Sequence, residues 1–281
     1  MALRSPIYLD TETLLSQAEY HDIEVPRQAE IVEKTTRRRS GGGKLNVPGI
    51  GGADAAGGSD VEYQSTYSLT PREKATVSRV IDRLISDGAV KLDPDGDTTL
   101  GKDDLVEIEG TTRITAASLA GKMFFIFRRF MDTAYGDLKS VFDLDVDDLP
   151  VVEQLKQVYL RNELLPIPVL LELTGSKLPQ KLYVNLAPDH FIDAASANRV
   201  EGELRVLGSV SRLVPGGDEG FLSAEQWLLH DWEYLMRRQL MMQIGDVVKD
   251  LVDKLDLELP AEDVHAFIQG PAVVVDAVAL Y

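Results

Sequence analysis

The pair of side chains best suited to catalysis or metal binding is His190 with Asp193, in the stretch DHFID. Residues three apart are neighbours on a helix surface, so the two could form a metal pair or a His–Asp dyad. The sequence offers no third ligand beside them, and Asp189 is also the acidic residue that a helix N-terminus favours. An enzyme with its site near His190 and Asp193 therefore remains one alternative, beside a structural role for both residues.

Other familiar catalytic signatures are absent from the sequence. The 281 residues include no cysteine, which excludes thiolate nucleophiles, cysteine zinc sites and cysteine-ligated iron–sulfur clusters. The patterns G-x-S-x-G and H-E-x-x-H and the glycine fingerprint of dinucleotide-binding folds do not occur. We predict no cofactor and no metal, and these observations favour a protein that is not an enzyme.

The acidic loop DPDGDTTLGKDD (93–104) comes close to a calcium-binding motif and misses a required residue. Its aspartates fall at the ligand positions 1, 3, 5 and 12 of such a loop; they are Asp93, Asp95, Asp97 and Asp104. The sixth position needs glycine for its sharp turn, and Thr98 stands there. We interpret the segment as a polar hairpin turn between two strands.

Residues 37–60 are rich in glycine and poor in large apolar side chains, so they cannot offset their ordering entropy. We predict a mobile loop here. It contains the basic run Arg37, Arg38 and Arg39, which could tether an acidic partner or RNA. Its GGGKL stretch is similar to a phosphate-binding loop, but Leu45 stands where Ser or Thr would hold magnesium.

The stretch ATVSRVIDRLISDGAVKL (75–92) resembles the recognition helix and wing of MarR-like winged-helix regulators. That resemblance implies that one helix face enters the DNA major groove; the matching residues are Thr76, Ser78, Arg79 and Arg83. Against it, residues 61–69 are strand-like where a first helix is needed, and the wing would be acidic. The formal net charge of −17 also repels phosphate. DNA binding is the second alternative, and an amphipathic core helix is favoured over it.

The order of elements predicts an α+β fold with mixed and antiparallel strands. After an N-terminal strand and helix segment (1–36) and the glycine-rich loop, we predict two sheet-and-helix halves, 61–148 and 150–281. In the first half, a capping box at Thr70 starts a helix that Gly88 ends, strands surround the acidic loop, and a second helix spans 116–137.

The second half is predicted to contain more strands and the longest helix of the chain. The stretches IPVLLELTG, KLYVNL and ELRVLGSVSRLV are strand-like, with a short helix at 188–198 between the second and third. A capping box at Ser223 predicts a helix reaching Asp256, in which Gly245 could introduce a break. The nearly all-apolar ending GPAVVVDAVALY predicts a strand buried on both faces. The glycine-centred strands LVEIEGTTRIT and LRVLGSVSRLV look alike, which leaves an internal repeat open.

Four landmarks, taken in order, are IYLDTETLLSQ, LVEIEGTTRI, LRVLGSVSRLV and GPAVVVDAVALY. Together they resemble an uncharacterised prokaryotic family, a domain of unknown function. The resemblance implies a shared fold over most of the chain. The resemblance implies no activity and no functional residue for this chain.

We therefore expect a non-enzymatic, cytoplasmic binding or regulatory module that acts through protein contacts. Aromatic and arginine side chains are typical of such interfaces; those predicted to bind are Arg37, Arg38, Arg39, Trp227, Trp232, Arg237 and Arg238. The N-terminus lacks a signal-peptide pattern, and the longest apolar run, Met123–Phe127, is too short for a membrane span. We expect an unknown protein partner, no nucleic acid and no membrane, and leave a homo-oligomer open.

Overall fold

The computed structural model describes residues 4–23, 25, 43–44, 62–63, 71–134, 167–192, 199–217, 220–230, 232–244, 246 and 263–281. Its helices are α1 (Thr11–Tyr20), α2 (Pro71–Ser86), α3 (Ala116–Ala134), α4 (Glu225–Leu228) and α5 (Tyr234–Met241). Its strands are β1 (Tyr8–Leu9), β2 (Gly43–Lys44), β3 (Glu62–Tyr63), β4 (Val90–Leu92), β5 (Leu105–Ile114), β6 (Val169–Thr174), β7 (Lys181–Leu186), β8 (Gly202–Val214), β9 (Phe221–Ser223), β10 (Phe267–Gln269) and β11 (Ala272–Leu280). The α+β prediction is confirmed.

Five strands close into a small barrel. Strand β5 pairs with β6, β6 with β7, β7 with β11, β11 with β8, and β8 returns to β5. All of these pairs are antiparallel except β7 with β11, which is parallel. The two predicted halves share this barrel, because β5 precedes residue 150 and the other four barrel strands follow it.

The strand order of the barrel is that of the OB-fold. With its strands counted along the chain as one to five, the order around the barrel is 1-2-3-5-4, and the third and fifth strands are parallel. This arrangement is a five-stranded Greek-key barrel. Two long connections leave it: the first joins β5 to β6 and contains α3, and the second joins β8 to β11 and contains α4 and α5.

Alternate residues of each strand point to the same side of the sheet. Those that point into the barrel are apolar. These inward side chains form one buried cluster that includes Val106, Ile108, Leu171, Leu173, Leu182, Val184, Leu186, Val206, Val273, Val275 and Ala277. The terminal strand β11 is buried at every position except Asp276, as the apolar ending predicts. Its edges pair with β7, β8 and β1.

Two groups of helices cover the outside of the barrel. In the first, α1 and α2 pack on the outer side chains of β5, β8 and the end of β11. In the second, α3 and the β8–β11 connection pack on the outer side chains of β6, β7 and the start of β11. We call this second group the insertion layer. It is part of the apolar core, with Trp227 and Ala116 both 0% exposed.

The helix predicted from the capping box at Thr70 is confirmed as α2. Its buried face carries Val77, Val80, Ile81 and Leu84, which follow the spacing of an amphipathic helix. Gly88 ends it with φ 74°, a conformation that favours glycine, and its N–H binds the carbonyl of Ile85. The expected strand character of 61–69 is confirmed at Glu62–Tyr63, which pairs with Gly43–Lys44.

Two local expectations are wrong. The loop 93–104 is not a hairpin turn, because β4 runs parallel to β5 and pairs Val90 with Leu105. A parallel pair needs a long connection of about a dozen residues, and the acidic loop provides it. In the described part of the helix expected at 188–198, Pro188–His190 is a 3₁₀ turn and Phe191 bridges to Tyr8 of β1, so no α-helix begins at Pro188; residues 193–198 lie outside the described part.

The glycine-centred strands LVEIEGTTRIT and LRVLGSVSRLV are β5 and β8, and they pair with each other. Each needs its central glycine for close approach to a neighbouring strand. A Cβ at Gly110 would lie 2.4 Å from the Thr174 carbonyl oxygen, and one at Gly208 would lie 2.6 Å from the Asp276 carbonyl oxygen. Barrel closure therefore accounts for both glycines.

Gly121 provides a test of how closely the insertion layer packs. It lies within α3, where alanine would normally stabilise a helix by about 1 kcal/mol relative to glycine. A Cβ at this position would lie 1.8 Å from the backbone oxygen of Trp227. We therefore expect Gly121→Ala to lower the free energy of unfolding by about 1–3 kcal/mol in urea titrations, the reverse of the helix preference.

The matched control is Gly96→Ala, because a Cβ there would be 3.9 Å from the Pro179 ring. We expect this variant to stay within about 0.5 kcal/mol of the wild type. A Gly121→Ala protein that is as stable as the wild type or more stable would show that α3 does not approach Trp227 so closely.

Candidate partner-binding surface

The longest helix predicted from the sequence is interrupted within the described residues. Within the described residues, Glu225–Leu228 forms α4, the chain turns at Leu229 and His230, and Tyr234–Met241 forms α5. Ser223 lies in β9 rather than at the start of the helix, and its hydroxyl accepts from the Glu225 N–H at 3.3 Å. Residues 247–262 lie outside the described part.

The break follows from the burial of two tryptophans on one side of the barrel. Trp232 follows Trp227 by five positions, so on a continuous helix their side chains would point about 140° apart. Both are buried, at 0% and 9% exposure, in the insertion layer. The turn between the helices lets the second tryptophan rejoin the same core.

The two tryptophans are therefore core residues and not surface residues for a partner, which corrects the sequence-based prediction. Trp227 Nε1 donates to Asn185 Oδ1 of β7 at 2.8 Å. Trp232 lies beneath the Arg128 guanidinium, whose carbon is 5.8 Å from the indole centroid. Of the other predicted binding residues, Arg237 is half-buried, Arg238 is exposed, and Arg37, Arg38 and Arg39 lie outside the described residues.

One face of α5 exposes large apolar side chains. Tyr234 is 57% exposed, Leu235 is 74% exposed, and Met242, just after the helix, is 87% exposed. Met236 and Leu240 on the opposite face, with Met241 at its edge, pack against the insertion layer. The exposed residues and Arg238 recur at the spacing of one helix face. We call Tyr234, Leu235, Arg238 and Met242 the α5 face.

Arg238 and Tyr234 order each other on this face. Arg238 Nη1 donates to the Tyr234 hydroxyl at 3.0 Å. The guanidinium carbon also lies 5.9 Å from the centre of the Tyr234 ring, within the range of a cation–π contact. This pairing leaves both side chains with less rotamer freedom to lose when a partner binds.

The α5 face carries one positive charge, that of Arg238, in an acidic protein; the exposed Glu233 directly precedes the helix. From Tyr234 to Gln243 the sequence has two arginines and no acidic residue, although the whole chain has 46 acidic and 29 basic residues. The signal that could have found this face is the spacing of Tyr234, Leu235, Arg238 and Met242. Sequence reasoning missed Leu235 and Met242 because it assigned the tryptophans of the same segment to the surface.

A second exposed aromatic contact lies in the β8–β11 connection. Phe221 of β9 and Phe267 of β10 are 61% and 42% exposed, and their rings meet edge to face at 5.5 Å. The strands that carry them pair only over three residues. Exposed aromatic residues of this kind are enriched in protein interfaces.

The face that OB-folds commonly use for nucleic acids is covered in this chain. In such folds the ligand surface consists of the second and third strands, with the loops that join the first strand to the second and the fourth to the fifth. Here the corresponding outer residues include Leu170 of β6 and Tyr183 of β7, and both are buried against the insertion layer. The Asp263 carboxylate anchors this layer by accepting from Arg113 Nη1 at 2.6 Å.

The four residues of the DNA-binding alternative do not share one exposed face. Ser78 is 5% exposed; its hydroxyl accepts from the Arg4 N–H at 2.9 Å and donates to the Lys74 carbonyl at 2.8 Å. Arg79 and Arg83 are exposed, and Arg83 pairs with Asp87 at 2.9 Å. Thr76 is half-buried. Ser78 is thus unavailable for base contacts in this arrangement.

The histidine site and the acidic loop singled out in the sequence make local structural contacts. His190 Nε2 lies 3.7 Å from Asp10 Oδ2, and Asp10 caps α1 by accepting from the Thr13 N–H; Asp193 lies outside the described residues. In the acidic loop, Asp104 is 2.6 Å from Lys91 Nζ, and its pKa is lowered by that hydrogen bond. Among the described residues, no cluster of three or more His, Asp or Glu side chains could hold a metal.

Sequence reasoning also missed a buried charge cluster. Glu107 of β5 is 2% exposed, and its carboxylate accepts from the Tyr281 hydroxyl and lies 3.6 Å from Arg4 Nη2. Arg4 also binds Asp82 of α2 at 2.5 Å. The cluster joins four segments that are far apart in sequence, so no local pattern reveals it.

Tyr281 is expected to make stability depend on alkaline pH. Burial, followed by its hydrogen bond to Glu107 and the charge of that carboxylate, raises the pKa of its hydroxyl well above the usual value. A group with a raised pKa stabilises the fold fully below its unfolded pKa, about 10 for tyrosine, and loses that contribution as pH rises further. In urea titrations, Tyr281→Phe should cost about 1–3 kcal/mol near neutral pH and progressively less above about pH 10.

Tyr20→Phe is the matched control, because Tyr20 is 82% exposed. Its free energy of unfolding should follow that of the wild type at every pH. A stability gap between Tyr281→Phe and the wild type that does not change with pH would contradict the contribution of the hydroxyl proton.

The comparisons with known proteins identify a family without assigning an activity. No curated protein and no solved structure matches the chain. No described helix is both long enough and apolar enough to cross a membrane. One family model, described as a domain of unknown function (DUF6414), matches residues 3–281. The chain, with its helix-covered barrel and exposed α5 face, belongs to this family.

Proposed function

We propose that this protein is a non-enzymatic binding or regulatory module, acting in the cytoplasm, that recognises an acidic protein partner through the α5 face. The observation that carries the proposal is the exposure of Leu235 and Met242, at 74% and 87%, beside the ordered pair Tyr234 and Arg238. Apolar residues that a fold leaves this exposed together, next to tyrosine and arginine, are typical of binding hot spots.

The charge of α5 selects the kind of partner. The exposed Arg238, in a stretch from Tyr234 to Gln243 without an acidic residue, complements a segment that combines Asp or Glu with apolar side chains. A second copy of this chain is a poorer fit, because pairing two α5 faces about a two-fold axis would bring like-charged Arg238 side chains together. The partner we propose is therefore an acidic amphipathic helix or strand of another protein.

The covered barrel supports a protein partner over nucleic acid. The outer faces of β6 and β7 are occupied by the insertion layer. The exposed arginines of α2 lie in a chain with net charge −17. Binding to DNA would require those arginines to overcome a surface that repels phosphate.

The experiment places a photo-cross-linking residue at position 235 of the full chain and captures the partner from lysate of the source cells. The captured protein is then purified and titrated with unmodified chain. We expect Leu235→Ser and Arg238→Glu each to weaken binding by about 30-fold or more, since interface hot spots contribute about 2 kcal/mol or more. High salt should weaken binding mainly through association rate.

The matched control is Leu92→Ser, which removes an equally apolar side chain that is 52% exposed on β4, outside the α5 face. It should bind the partner as the wild type does. The proposal is contradicted if the α5 variants bind as tightly as the wild type, or if sedimentation shows a dimer of this chain that Leu235→Ser dissociates. Recovery of nucleic acid that depends on Arg79 and Arg83 would instead favour the winged-helix alternative.

A further inference from the structure

One end of the barrel contains a cavity of about 390 Å³, separate from the α5 face. It lies where β8 ends and where β7 and β11 begin, beside residues 98–100 of the acidic loop. Its volume falls within the range of about 300–1,000 Å³ that is usual for small-molecule sites, and barrel mouths are a common place for them.

The floor of the cavity is the barrel core. Val273 is buried in the inward cluster, and Leu100 packs against the same cluster. Pro215 and Pro271 form a wall of fixed rings, and Leu213, 46% exposed, lies at the rim. A ligand with an apolar body would therefore bury its surface against side chains that are already in place.

The wall formed by the acidic loop is held in position by hydrogen bonds. Lys91 Nζ donates to the Thr99 carbonyl at 2.7 Å, and the Thr98 hydroxyl donates to Asp95 Oδ1 at 2.8 Å. The Gly101 N–H donates to Asp104 Oδ2 at 2.5 Å, and Lys91 also binds that carboxylate. These contacts preform the cavity and leave the Thr98 hydroxyl already engaged.

Two properties of the lining restrict the chemistry of the ligand. None of the ten described residues that line the cavity is ionisable, so nothing there compensates a ligand charge. Gln180 lines it as well, and its Oε1 is buried without a hydrogen-bond donor in the described structure. A buried acceptor without a donor is unfavourable, and the soft terminal torsion of glutamine lets Oε1 turn toward a donor in the cavity.

We infer that the barrel mouth binds a small, neutral molecule with an apolar ring and one N–H donor, which bonds to Gln180. The ring packs between the two prolines and Leu213, above Val273. The N–H donor supplies the hydrogen bond that the carboxamide oxygen lacks. This site does not depend on the α5 face or on the proposed partner.

The test uses indole and 1-methylindole, which differ in the N–H donor. Each is titrated into ¹⁵N-labelled full-length protein while the backbone amides of Thr99, Val214 and Ala272 are followed by NMR. We expect indole to shift these signals with a Kd of about 0.1–5 mM, as befits a ligand of this size. 1-Methylindole should bind about threefold to tenfold more weakly despite its additional methyl group.

Gln180→Met removes the acceptor and keeps the length of the side chain. In this variant the two probes should bind with equal affinity, while Gln243→Met, at an exposed position after α5, should keep the preference for indole. A spectrum of Gln180→Met that overlays the wild-type spectrum away from the cavity confirms that the variant folds.

Two results would overturn the inference. If indole leaves the three amides unshifted at about 10 mM, well above the Kd that such a small ligand should reach, the cavity is not a ligand site. If wild-type protein binds both probes equally, Gln180 does not accept a hydrogen bond from the ligand, and the assigned ligand chemistry is wrong. A preference for indole that disappears only in Gln180→Met supports the site and the role of Gln180 together.

Discussion

The parallel pairing of β11 with β7 is the contact on which the rest of the structure depends. It joins the last strand to a hairpin formed almost 90 residues earlier, and it closes a curved sheet into a barrel. Because β11 also pairs with β8 and β1, its backbone hydrogen bonds are satisfied on both edges while its side chains are buried on both faces. A strand with eight buried positions out of nine is stable only in such a place.

Closure also decides where the two helical groups pack. The register of β11 against β8 shifts between Ala277 and Ala279, which is the signature of a β-bulge. At the start of the strand, Ala272 and Val274 face the insertion layer; at its end, Val278 in the bulge and Ala279 after it face α1 and α2. The last strand thus contributes to the barrel core and to both outer layers.

The exposure of the α5 face follows from the burial of the two tryptophans of the insertion layer. Trp227 is fixed by Asn185, which in turn donates to Asp276 of β11 at 3.0 Å. With Trp227 and Trp232 both directed at the barrel, the chain turns outward and α5 keeps only one face in contact with the core. Its other face, which includes Leu235, remains in solvent. The barrel mouth is a separate consequence of closure, because it lies where β8 ends beside the beginnings of β7 and β11.

The sequence by itself determined the elements whose signals are local. The capping box and apolar spacing predict α2, the alternation of apolar residues predicts β5 to β8, and the apolar ending predicts the buried strand β11. The absence of cysteine excluded thiolate nucleophiles, cysteine zinc sites and cysteine-ligated iron–sulfur clusters. Only the tertiary structure decided that β4 is parallel to β5, that the long helix breaks near residue 230, that Trp227 is core, and that Gln180 borders a cavity. These outcomes depend on contacts between residues distant in sequence, because a local pattern specifies which residues avoid water but not which partner covers them.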